Sequence, residues 1–178
     1  MIELQTRRRI LGALAAGSVG SGCALVSRAA TTDDELGIDR AAEAIRQSIQ
    51  LRAPKRRVYD ALTDSEQFHK LTLLSLSTMG AGSQPTVIST NPGGDFVLFA
   101  GHIAGRQIEL VPDQRIVQAW RTADWAPGWY SIAHFALSDS GGGTRLDFNH
   151  TGFPKGQAEH LAKGWQSHYW QPLAKLLA

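Results

Sequence analysis

Alternating hydrophobic and polar residues mark the start of the folded part of the chain. Ile45, Ile49 and Leu51 alternate with polar residues, which is the period-two pattern of a strand with one solvent-facing side. Pro54 follows, and proline suits the first turn of a helix because its fixed φ is already helical. Val58, Tyr59 and Leu62 then recur at helical spacing. These residues predict a strand followed by a short helix.

A second short helix is predicted directly after the first. Asp64 can cap its N-terminus, and Gln67, three residues later, completes a capping box. Phe68 and Leu71 are three residues apart and therefore share one face of the helix. We expect both side chains to point into the protein.

The middle of the chain has the pattern of short strands separated by turns. Breaks are predicted at residues 80–85 and 91–94, where Gly, Pro and Asn cluster. Four strands are predicted over residues 96–100, 107–111, 115–121 and 129–137. A glycine-rich hairpin turn at 139–143 joins the last of these to a strand around 146–148. The order indicates an antiparallel meander.

The end of the chain changes to helical spacing. One apolar stripe of a long helix begins near Gln157 and contains Leu161, Trp165, His168, Pro172 and Leu176. Pro172 has no backbone N–H and is predicted to kink this helix or to restart its last turn. The elements together predict an α+β fold with one long helix across a curved antiparallel sheet. We expect a cavity between that helix and the sheet.

Composition and charge restrict the class of protein. The 178 residues are 43% hydrophobic and 19% charged, which fits a single globular domain. Four of the 18 Lys and Arg residues and one of the 16 Asp and Glu residues lie in residues 1–29, which leaves 14 basic and 15 acidic residues in 30–178. A domain without a basic surplus lacks the charge that phosphate backbones require. Nucleic-acid binding is therefore not predicted.

The basic N-terminus has the pattern of an export signal. Arg7, Arg8 and Arg9 precede a short, uncharged run of small and apolar residues that is too brief to span a membrane. The pattern resembles a bacterial twin-arginine signal over residues 1–29, followed by a polar linker over 30–42 and a domain over 43–178. We therefore expect a periplasmic or extracellular protein that meets the twin-arginine translocase during export. The alternative is an ordinary basic N-terminus.

Cys23 is the single cysteine of the chain, so no intramolecular disulfide can form. Small residues precede it, as they precede the lipidated cysteine of exported lipoproteins. The large aliphatic residue usual three positions earlier is absent, and Gly20 stands there. Membrane attachment is expected only if Cys23 is lipidated, and the alternative is that Cys23 leaves with the signal.

Several short strings, taken in order, resemble one protein family. They are AP (53–54), VYDALTD (58–64), GGDF (93–96), ELVP (109–112), RIVQAWR (115–121), GTRL (143–146), HTGFP (150–154) and GW (164–165). From about residue 43 to 178 the chain resembles the activator-of-heat-shock-protein-90-ATPase-like branch of the SRPBCC (START-like) superfamily. The resemblance implies a helix-grip (START-like/Bet v 1-like) fold.

The resemblance implies more than one function. Eukaryotic members of the branch are co-chaperones of heat-shock protein 90 that carry a further N-terminal domain, whereas the wider superfamily binds lipids, polyketides and hormones between helix and sheet. We expect an exported protein that binds a small hydrophobic or aromatic ligand. The alternatives are a co-chaperone-like regulator of heat-shock protein 90 ATPase and a cofactor-free cyclase or hydrolase with a pocket histidine.

The six histidines do not predict a metal site. They lack the i, i+4 spacing of a helical zinc site, and no carboxylate or cysteine ligand set accompanies them. No cofactor is predicted either, because the glycine-rich segments precede strands rather than helices. His134 and His168, with Tyr130, are the candidates for acid–base chemistry, although each could equally be a satisfied core residue.

Aromatic residues carry most of the predicted site. They lie on the segments expected to line the space between helix and sheet, where they suit an apolar or aromatic ligand. The predicted ligand-binding residues are Phe68, Leu71, Phe96, Trp120, Tyr130, Ile132, His134, Phe148, Trp165 and His168. No residue is predicted to be catalytic.

Overall fold

The computed structural model describes residues 42–75 and 85–178. The predicted export signal, Cys23 and all of the linker except its last residue lie outside the described residues. Within the described part, no helix is long and apolar enough to cross a bilayer.

Seven antiparallel strands form one sheet. They are β1 (Ala44–Leu51), β2 (Val87–Ile88), β3 (Asp95–Leu98), β4 (Ile103–Val111), β5 (Arg115–Thr122), β6 (Ser131–Ser140) and β7 (Gly143–Thr151). Their order across the sheet is β1-β7-β6-β5-β4-β3-β2, so β1, the first strand, pairs with β7, the last strand, at one edge of the sheet. The predicted hairpin between β6 and β7 is confirmed. Its turn residues Gly141 and Gly142 have φ of 56° and 84°, which glycine adopts without a Cβ penalty.

Two short helices connect β1 to the rest of the sheet, as the sequence predicts. They are α1 (Lys55–Thr63) and α2 (Ser65–Ser75). Asp64 Oδ1 accepts a hydrogen bond from the backbone N–H of Gln67 at 2.9 Å, which is the predicted N-terminal cap of α2. Phe68 and Leu71 are both buried beneath α2.

The C-terminal helix has three parts. They are α3 (Ala158–Gly164), a π-helical segment (Trp165–Trp170) and α4 (Gln171–Leu176). The predicted interruption lies just before Pro172, which has no N–H with which to continue the ordinary ladder. Gln47 of β1 holds the wider turn, because its Nε2 donates to the Ala162 carbonyl at 3.0 Å and its Oε1 accepts from the Trp170 indole.

The π-helical segment changes the face that the helix buries. The buried stripe contains Leu161, Trp165, Tyr169, Leu173 and Leu177. A constant spacing of 3.6 residues predicts His168 and Leu176 instead, and both are only half-buried. Pro172 is buried as predicted, but the prediction was wrong for His168 and Leu176, because the π turn holds extra residues per turn and so rotates the later side chains.

The space between helix and sheet is filled by aromatic rings. The Trp165 ring lies 4.3 Å from Phe148 and 4.1 Å from Tyr169 between centroids, and Trp170 stacks on it with planes 18° apart. The void near Leu62 and Phe135 measures only about 10 Å³. The predicted α+β helix-grip fold is confirmed, but the middle of the space between the C-terminal helix and the sheet is packed core. Open space lies at one end.

Candidate functional site

A cleft of about 390 Å³ opens where the first half of the C-terminal helix crosses the ends of β4 and β5. A single 3₁₀ turn, Phe99–Gly101, closes one side of it. The described lining residues are Phe99, His102, Ile103, Trp120, Thr122, His160, Leu161, Lys163, Gly164, Trp165, Ser167, His168 and Tyr169. The cleft therefore combines an aromatic floor with a polar rim.

Two tryptophans make the floor, and a buried histidine fixes them. The Trp165 indole N–H donates to His150 Nδ1 at 3.0 Å. Neutral His150 must then carry its proton on Nε2, which donates to Ser131 Oγ at 2.6 Å. The Ser131 hydroxyl in turn donates to the Trp120 carbonyl at 2.8 Å. One chain of hydrogen bonds thus joins the helix to β5, β6 and β7.

His150 is held neutral by its surroundings. Its side chain is fully buried, and burial lowers its pKa from 6.5 to about 3. The rings of Trp120 and Phe153 pack edge-on against it, with centroids 5.0 and 5.1 Å away. The imidazole is therefore a positioning group for the two tryptophans across the neutral pH range.

The Ser131–His150 pair does not resemble a hydrolytic nucleophile and base. Both residues are 0% exposed, and Ser131 is already committed to a backbone carbonyl. A nucleophilic serine needs access to the substrate carbon. The pair is therefore structural, although its distance matches that of a catalytic dyad.

Tyr169 and Phe99 extend the aromatic wall. The Trp120 indole N–H donates to the Tyr169 hydroxyl at 3.4 Å, and the Phe99 ring lies 5.2 Å from the Tyr169 ring in an edge-on arrangement. Burial raises the pKa of the Tyr169 hydroxyl, so this group stays neutral. The wall is apolar except for hydrogen bonds that its own members make.

The rim carries three imidazoles and one ammonium group. His102 precedes β4, while His160, Lys163 and His168 lie on the C-terminal helix. Ser75 at the end of α2 places its Oγ 3.0 Å from His168 Nδ1, which orients the ring. His102, His160 and Lys163 are exposed, whereas His168 is half-buried.

The rim groups interact electrostatically. Burial lowers the pKa of His168, and the nearby His102 and His160 lower it further. Asp124, just after β5, has a lowered pKa, mainly because of the nearby Thr122 hydroxyl and, to a smaller extent, because the same two histidines are close. The three imidazoles therefore share one electrostatic environment.

Three of the ten predicted ligand-binding residues line this cleft: Trp120, Trp165 and His168. Four others lie in the packed core, where they contact protein rather than open space: Phe68, Leu71, Phe96 and Phe148. The structure does not bring the remaining three to the cleft.

Tyr130, Ile132 and His134 are a correction to the predicted site. Ile132 and His134 lie on the face of β6 that points away from the helix, Tyr130 precedes the strand, and the side chains of Tyr130 and Ile132 are 44% and 39% exposed. Ser131 and Ala133 face the helix instead. A shift of one residue in the alternation transfers a whole set of side chains to the opposite face.

Of the polar rim, only His168 was predicted as a site residue. His160, Gly164 and Ser167 follow one another at helical spacing beside the apolar stripe, and a glycine inside a helix often has a packing or functional reason. That signal could have indicated a cleft along this side of the helix. His102 comes from a distant loop, and no local pattern connects it to the helix.

The histidines do not form a metal centre in the described part of the chain. No group of three or more His, Cys, Asp and Glu residues there has an arrangement that could hold a metal ion. The absence of a bound metal stays a prediction for the purified protein.

Comparison with known proteins identifies one matching family model and several relatives. The family model described as "Activator of Hsp90 ATPase homolog 1-like protein" matches residues 52–178. The human "Activator of 90 kDa heat shock protein ATPase homolog 1" is 26% identical over 110 residues, which are 62% of this chain and 32% of the human protein. The chain thus spans about a third of that relative's length.

Solved structures agree on the fold. A Plasmodium falciparum protein described as an HSP90 activator, PFC0360w, is 23% identical with a TM-score of 0.59, over 72% of this chain and 90% of that one. Protein CV1439 from Chromobacterium violaceum is 26% identical with a TM-score of 0.59, over 75% of this chain and 96% of that one. These similarities extend over most of the described residues.

Proposed function

The chain belongs to the activator of Hsp90 ATPase homolog 1-like family, and we propose that it binds a small hydrophobic or aromatic molecule in the cleft beside its C-terminal helix. The observation that carries this proposal is the 390 Å³ opening with an aromatic floor, whereas the void near Leu62 and Phe135 in the middle of the grip measures only about 10 Å³. Small-molecule sites commonly measure about 300 to 1,000 Å³ and combine apolar walls with a few polar groups. The cleft meets both criteria.

Gly164 offers a direct test of this site. It lines the cleft, and a Cβ built on it meets no atom within 4 Å. Gly164→Leu should therefore fill the cleft without disturbing the fold. Ala174→Leu is the matched control, because Ala174 is exposed on the same helix and does not line the cleft.

The assay uses a neutral aromatic probe, N-phenyl-1-naphthylamine, whose fluorescence rises in apolar surroundings. Wild type and Ala174→Leu should bind the probe, and the bound probe should quench the fluorescence of Trp120 and Trp165. Gly164→Leu should not bind it. Probe at 100 times its Kd should add about 2.7 kcal/mol to the folded state, or roughly 5 to 10 °C in Tm. Equal binding by Gly164→Leu, or no binding by wild type, would contradict the proposal.

Regulation of a heat-shock protein 90 ATPase is a second candidate. The names of the relatives favour it, and so does a group of exposed apolar residues, Trp129, Tyr130 and Ile132, at and beside the outer face of the sheet. The purified domain should then stimulate the ATPase of Hsp90. Tyr130→Ser should reduce that stimulation, while Gly164→Leu should leave it unchanged. Absence of stimulation would leave ligand binding as the better account.

Export remains part of the proposal. We propose that residues 1–29 act as a twin-arginine-type signal, that 30–42 form a linker and that the mature domain is periplasmic or extracellular. A protein in that location does not meet a cytosolic, ATP-dependent chaperone. Export would therefore favour ligand binding over the co-chaperone function.

A further inference from the structure

Charge is unevenly distributed over the cleft. The rim carries His102, His160, Lys163 and His168, and among the described lining residues none is acidic. The floor is apolar because it is formed by the indole rings of Trp120 and Trp165. Polarity therefore changes from the mouth of the cleft to its base.

We propose that the ligand of this cleft is an amphipathic anion, with its carboxylate or similar head at the imidazole rim and its apolar body on the tryptophan floor. The proposal rests on the proposed ligand-binding function and deepens it. Charge complementarity selects an anion over a neutral or cationic molecule of the same size. The floor selects an aliphatic or aromatic body.

Groups from every neighbouring element determine how the rim titrates. They are Ser75 on α2, His102 before β4, Thr122 and Asp124 at the end of β5, and Glu159, His160, Lys163, His168 and Tyr169 on the C-terminal helix. Lys163 Nζ already lies 2.7 Å from Glu159 Oε1 in an exposed pair, which leaves the imidazoles as the principal partners for an anionic head group.

An anion at this rim should bind together with protons. His102 and His160 disfavour charge on His168, and a negative head placed among the three rings offsets that repulsion and favours the charged form of His168. Asp124 has a lowered pKa, so it stays ionised between about pH 6 and 8 and does not contribute to the uptake of protons on anion binding. Anion affinity should therefore rise as the pH falls through the ordinary range of histidine.

The test compares decanesulfonate, decanol and decylamine, which share one chain and differ in head-group charge. Decanesulfonate stays ionised across the pH range, so its pH dependence reports groups of the protein. Isothermal titration should give at least tenfold tighter binding of decanesulfonate at about pH 6 than at about pH 8, which is about 1.4 kcal/mol. Decanol should bind equally at both pH values, and decylamine more weakly than decanol at the lower one.

Two sets of variants separate this inference from the function on which it rests. His102→Gln with His160→Gln removes two exposed imidazoles and should reduce the pH dependence of decanesulfonate binding to less than threefold, and it should weaken decanesulfonate binding at about pH 6 more than decanol binding. His134→Gln, on the outer face, is the control and should behave as wild type. Gly164→Leu should abolish binding of both compounds.

The outcomes are distinct. One outcome is that decanol and decanesulfonate bind with equal affinity at both pH values and that Gly164→Leu blocks the binding of both. This outcome would overturn the anion proposal and keep the cleft as an apolar site. Unchanged pH dependence in the double variant would also overturn it. If neither these compounds nor the naphthylamine probe binds, both the inference and the proposed function fail.

Discussion

Removing the buried histidine tests whether the floor of the cleft is held as the geometry indicates. His150 accepts from the Trp165 indole and donates to Ser131, and it is fully buried. His150→Gln keeps one donor and one acceptor but cannot take up a proton. The variant therefore removes the titration while it leaves a hydrogen-bonding side chain in place.

The magnitude follows from the pKa of the ring. Burial lowers it to about 3 in the folded protein, against 6.5 for an ordinary histidine. Below pH 6.5 the unfolded chain takes up a proton that the folded chain does not, so stability is complete above this pH and is lost as the pH falls towards about 3. Between about pH 7 and 4.5 the loss amounts to roughly 2.5 kcal/mol.

The assay is urea unfolding of wild type and variant at several pH values. At about pH 7 wild type should be more stable by about 2 kcal/mol, because glutamine does not reproduce the edge-on ring contacts. This advantage should disappear near pH 4.5, since only wild type contains the titrating ring. The other titrating groups are shared by both proteins, so they cancel in the difference.

Ser131→Ala is the matched control. It leaves the Trp120 carbonyl and His150 Nε2–H without their partner, which should cost about 1 to 3 kcal/mol. It retains the histidine and therefore the pH dependence of wild type. A stability difference between wild type and His150→Gln that stays constant from pH 7 to 4.5 would refute the reasoning, because the ring would then titrate alike in both states.

Three further predictions concern the helix, export and metals. Gly164→Ala should raise stability by about 0.5 to 1 kcal/mol in thermal or urea unfolding, because alanine favours the helix and its Cβ meets open space; a loss of stability would contradict the open cleft. Replacing Arg7, Arg8 and Arg9 by Lys should retain the precursor in the cytoplasm, since lysine lacks the planar guanidinium fork; equal periplasmic amounts by fractionation would exclude a twin-arginine signal. Protein purified without chelator should contain far less than one zinc or iron per chain by elemental analysis, and one equivalent would overturn the argument from ligand spacing.

Local pattern was sufficient for the elements of this fold but not for every side-chain direction. The cap at Asp64 and the turn at Gly141 depend on neighbouring residues alone, and the sequence predicts both. Ser131 is different, because a serine faces the core of β6 only where its hydroxyl meets His150 and the Trp120 carbonyl. Those partners lie on other strands. An alternation that ignores them assigns the wrong face to Ile132 and His134.

The cleft was harder to predict because its floor and rim obey different constraints. The floor depends on contacts between distant elements, such as the Trp165 indole on His150, and aromatic composition alone does not distinguish a wall from a filled core. The rim combines His102 from a loop with His160 and His168 from the helix. Only the three-dimensional arrangement brings these imidazoles together.

The floor and the rim of the cleft also differ in their effects: the floor contributes to stability, and the rim to ligand selectivity. Trp120, Trp165 and His150 are buried, and hydrogen bonds link Trp165 to His150 and, through Ser131, His150 to the Trp120 carbonyl; a change at any of the three should therefore alter both the fold and the floor. His102 and His160 are exposed, and substitutions at such positions usually change stability by less than about 0.5 kcal/mol. The head group that the cleft prefers can therefore change through the rim while the aromatic floor and the grip of the helix stay intact.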